Sequence, residues 1–219
     1  PILLRLQPSG AARTRAHGVM ERQVVRMTRL VEDLLDAARV VRGDVVLNRQ
    51  LVDLRDVVRR AMETARPSID ARAHLLHVHL PETSCLVEGD SARLEQVLVN
   101  LLHNAAQYTP EHGLIEVRLD ASGPQPSVSV RDNGEGIEPD RLSAIFELFT
   151  RNSKASQSGF GIGLAVARRL VERHGGLLVA RSEGAGRGSE FMLTLPACAD
   201  RSGETGSGEA TGYMQAGAR

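Results

Sequence analysis

Apolar residues recur along this chain in two rhythms. Between Thr14 and Val41 they fall at Met20, Val24, Met27, Val31, Leu34 and Ala38, in alternating steps of four and three, with Leu30 and Leu35 beside them. That spacing predicts one long helix carrying a heptad seam, about 40 Å from end to end at the usual rise per residue. Glu21, Arg22, Arg29, Glu32, Asp33 and Arg39 take the opposite face. A seam backed by charge needs a second helix against it. Ile2 to Leu6, ahead of the Pro8-Ser9-Gly10 turn, reads as the end of one.

After Arg42-Gly43-Asp44 the rhythm changes. Val45 to Leu47 and Gln50 to Val52 read as short strands. Asp53 is placed to cap a helix from Leu54 to about Ala73, with Val57, Val58, Ala61, Met62 and Ala65 inward. A strand follows over Leu75 to Leu80, and Asp90 caps a second helix reaching about Gln107. Ile115 to Leu119 and Ser127 to Arg131 alternate as strands around a Pro/Gly turn. Pro139 to Phe146 reads as a short helix and Thr150 to Ser158 as a polar loop. Gly161 to His174 is helical again, with strands over Leu177 to Arg181 and Ser189 to Leu195. Strands grouped in hairpins beside helices predict an α+β fold, a two-layer α/β sandwich. The organisation expected is therefore a partial helical hairpin over 1–43, a sandwich domain over 44–197, and a tail over 198–219. That tail is rich in Gly, Ser, Glu and Ala, without periodicity, and is expected to be disordered.

Composition removes several chemistries. Basic and acidic residues balance at 27 each, and Lys154 is the single lysine. It stands in Asn152-Ser153-Lys154-Ala155, which is neither a P-loop nor the Val-Ala-Ile-Lys strand of a eukaryotic-type protein kinase. A Schiff-base lysine is disfavoured for the same reason. Zero net charge, 3% aromatic residues and no Trp argue against a nucleic-acid partner. Cys85 and Cys198 fit no metal spacing and read as reduced thiols of a cytoplasmic protein. No run of 18 apolar residues marks a membrane segment, and no signal peptide opens the chain. His77 and His79 share a strand face, but no carboxylate or cysteine at suitable spacing completes a metal site.

Four blocks carry candidate chemistry. The first runs from Arg93 to Tyr108, where Leu94, Val97, Leu98, Leu101 and Leu102 make an apolar face. Asn100 and Asn104, four apart, stack on one side of it and offer amide oxygens suited to Mg²⁺ or donors suited to phosphate. Asp132-Asn133-Gly134-Glu135-Gly136-Ile137 follows a strand directly. A carboxylate there can accept from an amino group such as that of adenine, and glycine lets backbone pass close to a flat ligand. Gly159-Phe160-Gly161-Ile162-Gly163-Leu164 is a glycine-rich turn opening a helix, a place that favours phosphate. Gly184-Ala185-Gly186-Arg187-Gly188-Ser189 leads into the last strand. Each block alone also reads as an ordinary helix face or turn. Their combination in this order is far more specific.

Together the blocks resemble the ATP-binding domain of two-component sensor histidine kinases, which has the Bergerat fold. The resemblance covers about Asp44 to Pro196, with Phe146-Glu147-Leu148-Phe149 similar to the family's F box. Leu30-Val31-Glu32-Asp33-Leu34-Leu35-Asp36 resembles the second helix of its dimerisation hairpin. The resemblance implies transfer of the ATP γ-phosphoryl to a histidine, with relay to an aspartate of a response regulator or receiver domain. It implies that Asn104 holds Mg²⁺ and that Asn100 supports the phosphates or the metal shell. Asp132 would recognise adenine, with Ser189 orienting it, Gly134, Gly136 and Ile137 shaping the base pocket, and Tyr108 flanking the base. Gly159, Gly161, Gly163 and Leu164 would lie over the phosphates. Phe146 and Phe149 would anchor a lid over Arg151 to Ser158. A homodimer through the complete hairpin is implied as well.

Three departures refine this. Relatives that hydrolyse ATP carry a glutamate four residues before the magnesium asparagine; here that place is Asn100, which cannot activate water. Gln107 stands where many such kinases carry Lys or Arg, so a phosphate contact is lost or supplied from elsewhere, with Arg151 and Lys154 the nearest candidates. Finally, the acceptor motif His-Glu-x-x-Thr/Asn-Pro has no match, and His17 is followed by Gly18-Val19-Met20. The expectation is a fragment cut inside the first hairpin helix, which binds ATP but does not autophosphorylate alone. A non-catalytic nucleotide-binding dimerisation module is the other reading these residues allow.

Overall fold

The computed structural model describes residues 46–150 and 161–198, together with His17, Met20, Val24 and Leu35. Those four residues are helical and exposed. The rest of the expected hairpin helix, the whole of the predicted lid and the tail from 199 onward lie outside the described residues.

The regular elements are β1 (Gln50–Asp53), α1 (Leu54–Asp70), β2 (Leu75–His79), β3 (Leu86–Gly89), α2 (Ser91–Tyr108), β4 (Leu114–Asp120), β5 (Ser127–Asp132), α3 (Gly163–Arg173), β6 (Leu177–Arg181) and β7 (Ser189–Thr194). One sheet has the order β2-β4-β5-β7-β6, and β1 pairs with β3 in a separate two-stranded ribbon. Period-two alternation divides the larger sheet. Ile115, Val117, Leu119, Val128, Val130, Phe191 and Leu193 are buried, each at 4% exposure or less. They meet the helix stripes Val57/Val58/Ala61/Ala65/Ile69, Leu94/Val97/Leu98/Leu101/Leu102 and Val166/Ala167/Leu170/Val171. On the other face the register sets His77, Glu116, Arg131, Glu190 and Arg181 in one row across all five strands, its last four members alternating in charge.

The two long helices start where the sequence places their caps. Asp53 accepts from Arg55 N–H at 3.0 Å and Asp90 from Arg93 N–H at 3.1 Å. Hydrogen bonds from the Arg55 guanidinium, foremost, hold the Asp53 carboxyl down at about 2 despite its partial burial. Asp53 also receives the N–H of Cys85, so one carboxylate starts α1 and fixes the approach to β3.

Four expectations change. Residues 46–49 form no strand, and Val46 is 88% exposed. The partner of β1 is Leu86–Gly89, a strand not expected from the sequence, antiparallel from Gln50↔Gly89 to Asp53↔Leu86. Pairing is not confined to hairpins, because β2 lies parallel to β4, with β3 and α2 forming the crossover. Pro139 to Phe146 is two 3-10 turns, Pro139–Arg141 and Ala144–Phe146, neither of which has a side-chain cap. α3 begins at Gly163, since Gly161 has φ 69° and lies off the helix.

His174 ties the ends of two helices. Its Nδ1–H donates to Leu170 O at 2.7 Å, and its Nε2 accepts from Asp90 N–H, the cap of α2, at 3.0 Å. Acceptance at Nε2 requires the neutral ring. Burial, the largest influence, pushes the imidazole below its ordinary 6.5. The unfolded chain therefore takes up this proton at higher pH than the folded one. This contribution to stability is complete above about pH 6.5 and is lost as pH falls through the folded value. The urea midpoint should drop between pH 7.5 and pH 5, and His174→Gln should flatten that part of the profile. An unaltered slope in the variant would assign the titration to another group.

Candidate functional site

β5 ends by delivering Asp132 to the interior, directly opposite Ser189 at the start of β7. Asp132 is 4% exposed. Its Oδ2 accepts from Ser189 Oγ–H at 2.6 Å, and its Oδ1 accepts from Gly134 N–H at 2.8 Å and Ser189 N–H at 3.3 Å. Desolvation dominates and raises the carboxyl above the ordinary aspartate value, while these hydrogen bonds pull the other way. The result is an acceptor fixed in place by three donors, with its remaining lone pairs still available.

Around it three stretches of backbone pass without side-chain clearance. A Cβ on Gly188 would lie 2.0 Å from Asp132 O, one on Gly136 2.1 Å from Gly184 O, and one on Gly134 2.4 Å from Tyr108 O. Gly136 and Gly188 also hold left-handed φ of 71° and 70°. Gly188 N–H donates to Gly134 O, Gly186 N–H to Glu135 O, and Glu135 N–H to Tyr108 O. The loop after β5, the loop before β7 and the end of α2 thus form one hydrogen-bonded unit. Ile137 is buried beneath it.

Ser182 is the residue that motif reading missed. Its hydroxyl accepts from Ile137 N–H at 2.9 Å and Gly184 N–H at 3.3 Å, and donates to Gly188 O at 2.7 Å. One donor and two acceptors are all a serine has, and all are used. The only sequence signal was its place two residues ahead of the final glycine block.

α2 presents the amide face. Asn100 and Asn104 are half-buried one turn apart, with Gln107 and Tyr108 half-buried in the turn beyond. Asn100 Nδ2 donates to Gly163 O at 3.1 Å, so half of its carboxamide already ties α2 to the start of α3. Its Oδ1 is the atom that remains for a ligand role. Asn104 carries an amide oxygen on the same side, a hard donor suited to Mg²⁺, which commonly takes one or two protein oxygens and completes its shell with phosphate and water. Leu164 is half-buried at the first turn of α3.

The residues on either side of the expected lid, Phe149 and Gly161, are described. Phe149 N–H donates to Gly161 O at 2.9 Å, bridging the two ends of the segment between them. Gly161 has a left-handed φ, and a Cβ there would lie 2.2 Å from Thr150 O. Phe149 itself has φ 67°, a strained conformation for a bulky residue, and is 65% exposed. Phe146 instead anchors, edge-on to Phe191 at 6.3 Å with the Arg168 guanidinium 5.2 Å over its ring. Of the pair expected to anchor the lid, Phe146 is packed and Phe149 is not. Arg151, Lys154 and Gly159 lie outside the described residues.

The Ser189–Asp132 pair generates a direct test. Ser189→Ala removes a buried hydrogen bond to a charge and should destabilise the fold by about 1.5–3 kcal/mol. It should also raise the Asp132 carboxyl further, read by carbon NMR of the labelled side chain. A lowered or unmoved titration would contradict the arrangement.

A family model described as histidine kinase-, DNA gyrase B-, and HSP90-like ATPase matches residues 89–199. The sensor protein KdpD of Escherichia coli K12 is 35% identical over 198 residues, 89% of this chain and 22% of KdpD. The sensor histidine kinase ZraS of the same organism is 35% identical over 190 residues, 86% of this chain and 39% of ZraS. This chain thus spans less than half the length of these relatives. Among solved structures, the mycobacterial sensor histidine kinase MprB superposes with a TM-score of 0.62 at 31% identity, covering 68% of this chain and 98% of that one. Full-length ShkA in complex with AMPPNP gives a TM-score of 0.71 at 29% identity, covering 87% of this chain and 40% of that one. On the strength of this family match and these relatives, the chain belongs to the histidine kinase-, DNA gyrase B- and HSP90-like ATPase family and carries the ATP-binding domain of a sensor histidine kinase.

Proposed function

We propose that this domain transfers the γ-phosphoryl of Mg-ATP to a histidine on a dimerisation hairpin, for relay to an aspartate of a response regulator or receiver domain. One observation supports this most: a buried carboxylate, Asp132, held by Ser189 and Gly134 and bordered by loops with no room for side chains. That is a slot for a flat base bearing an amino donor. Adenine matches it by hydrogen-bond sign, its amino group donating to the carboxylate.

The residues then divide the work. Asp132 accepts from the base, and Gly134, Gly136 and Ile137 border it, with Tyr108 beside them at the end of α2. The amide face of α2 and the Gly161–Gly163 turn run away from the base toward the position of the phosphates. Asn104 would hold Mg²⁺ through its oxygen, with Asn100 Oδ1 in support; the ion supplies charge neutralisation on the phosphates. Asn100 gives its amide hydrogen to Gly163 O and has no basic group, so it cannot activate water. This favours keeping ATP for transfer over hydrolysis. Arg151 and Lys154 are the lid cations that would stand in for the missing positive charge at Gln107. A homodimer through the hairpin and a cytoplasmic location follow from the same reading, since ATP and response regulators are met there.

The test supplies a separate dimeric hairpin protein bearing an acceptor histidine, together with this chain and labelled ATP. Acid-labile phosphohistidine should form, and Asp132→Ala or Asn104→Ala should each cut its rate by about 100-fold or more. Transfer that survives both changes would sink the proposal. Nucleotide binding without any transfer would favour the non-catalytic dimerisation module instead.

A further inference from the structure

The C-terminal end of α2 lacks a basic residue in its last turn, although it is the negative pole of the helix. The carbonyls of this end and of the two residues beyond it are nevertheless taken in succession. Arg72 Nη1 donates to Ala106 O at 2.9 Å and to Gln107 O at 2.6 Å. Glu135 N–H donates to Tyr108 O at 3.0 Å. His74 Nε2 lies 3.2 Å from Thr109 O and 3.0 Å from Pro110 O, and since both are acceptors this nitrogen carries the hydrogen. Five consecutive carbonyls are thus bound, four of them by two side chains of one short turn, residues 71–74, between α1 and β2.

That turn is built for the purpose at some cost. Ala73 has φ 53°, left-handed for a residue with a side chain. His74 is 7% exposed, and its Nδ1 is buried without a hydrogen-bond partner among the described residues. Arg72 O in turn accepts from His112 N–H, and Leu75 N–H donates to Gly113 O, locking the turn to the loop after α2.

The carbonyl in the middle of the five is the one that reaches the pocket. Tyr108 O holds Glu135 N–H and lies 2.4 Å from where a Cβ on Gly134 would be, and Gly134 N–H in turn holds Asp132 Oδ1. Any shift of the α2 end therefore moves the aspartate's own donor. We propose that Arg72 and His74 are positioning residues for nucleotide binding, acting through the Tyr108 carbonyl on the Gly134–Asp132 corner. They touch no nucleotide themselves. This rests on the nucleotide reading of the pocket.

The experiment titrates the full chain with a fluorescent ATP analogue, and records thermal midpoints so that binding is read well below unfolding. Arg72→Met should weaken binding by about tenfold, the equivalent of one charge-assisted hydrogen bond, while Arg72→Lys recovers part of it. His74→Phe should weaken it likewise, and His74→Gln, which keeps a donor, less. If a loss variant fails to fold, the comparison of wild type with Arg72→Lys and His74→Gln carries the test, each expected to bind measurably more weakly. Folded variants that bind as wild type does, with only the midpoint lowered, overturn the positioning role. Failure of the wild type to bind, or undiminished binding by Asp132→Ala, instead overturns the nucleotide reading and this inference with it.

Discussion

A buried carboxylate is costly unless donors surround it, and Asp132 shows how this fold supplies them. Two of its three donors are backbone N–H groups, from Gly134 and Ser189, and the third is the Ser189 hydroxyl. For backbone to come that close, the neighbouring strands and loops must lie against one another without Cβ atoms between them. The 2.0 Å clearance at Gly188 and the 2.1 Å clearance at Gly136 state the condition. Much of the local sequence follows from it: the paired glycine blocks, the serine opposite the aspartate in register, and Ser182 filling the hydrogen bonds that the crossing loops leave open.

α2 is the element on which this corner rests. Its apolar stripe is in the core, its amide face is turned to the pocket, and both of its ends are tied down. At the start, Asp90 caps the helix and hands its own N–H to His174. At the end, Arg72 takes the Ala106 and Gln107 carbonyls, and His74 those of Thr109 and Pro110 just beyond. Midway, Asn100 joins it to the first residue of α3. A helix held at three points keeps Asn104 and Tyr108 in fixed relation to Asp132. Beside it, Phe149 holds a strained left-handed φ and Gly161 supplies the turn.

How much of this the sequence discloses depends on the kind of interaction. Helix starts were legible because one carboxylate before an apolar-periodic run is a local signal, as at Asp53 and Asp90. The close backbone approach around Asp132 was legible because glycines in short fixed blocks reflect backbone demands that no other residue meets. β3 was not, because Leu86–Gly89 has only Val87 and Gly89 buried and is defined by its partner β1. The 3-10 turns were read as helix because Pro139 to Phe146 has helical composition but no cap. Arg72 and His74 were invisible because each acts on backbone groups far along the chain, and Ser182 because its role depends on joining the local Gly184 and Gly188 to the distant Ile137; no spacing rule connects them.

The central claim is that close backbone approach, not only the aspartate side chain, makes the pocket. Gly188→Ala tests it most directly, since it leaves every polar side chain of the site in place. A methyl there meets Asp132 O and demands a left-handed φ of an L residue. Titrated with a fluorescent ATP analogue under conditions where the variant remains folded by circular dichroism, it should lose nucleotide binding as fully as Asp132→Ala. Binding at the wild-type level by folded Gly188→Ala would contradict the account.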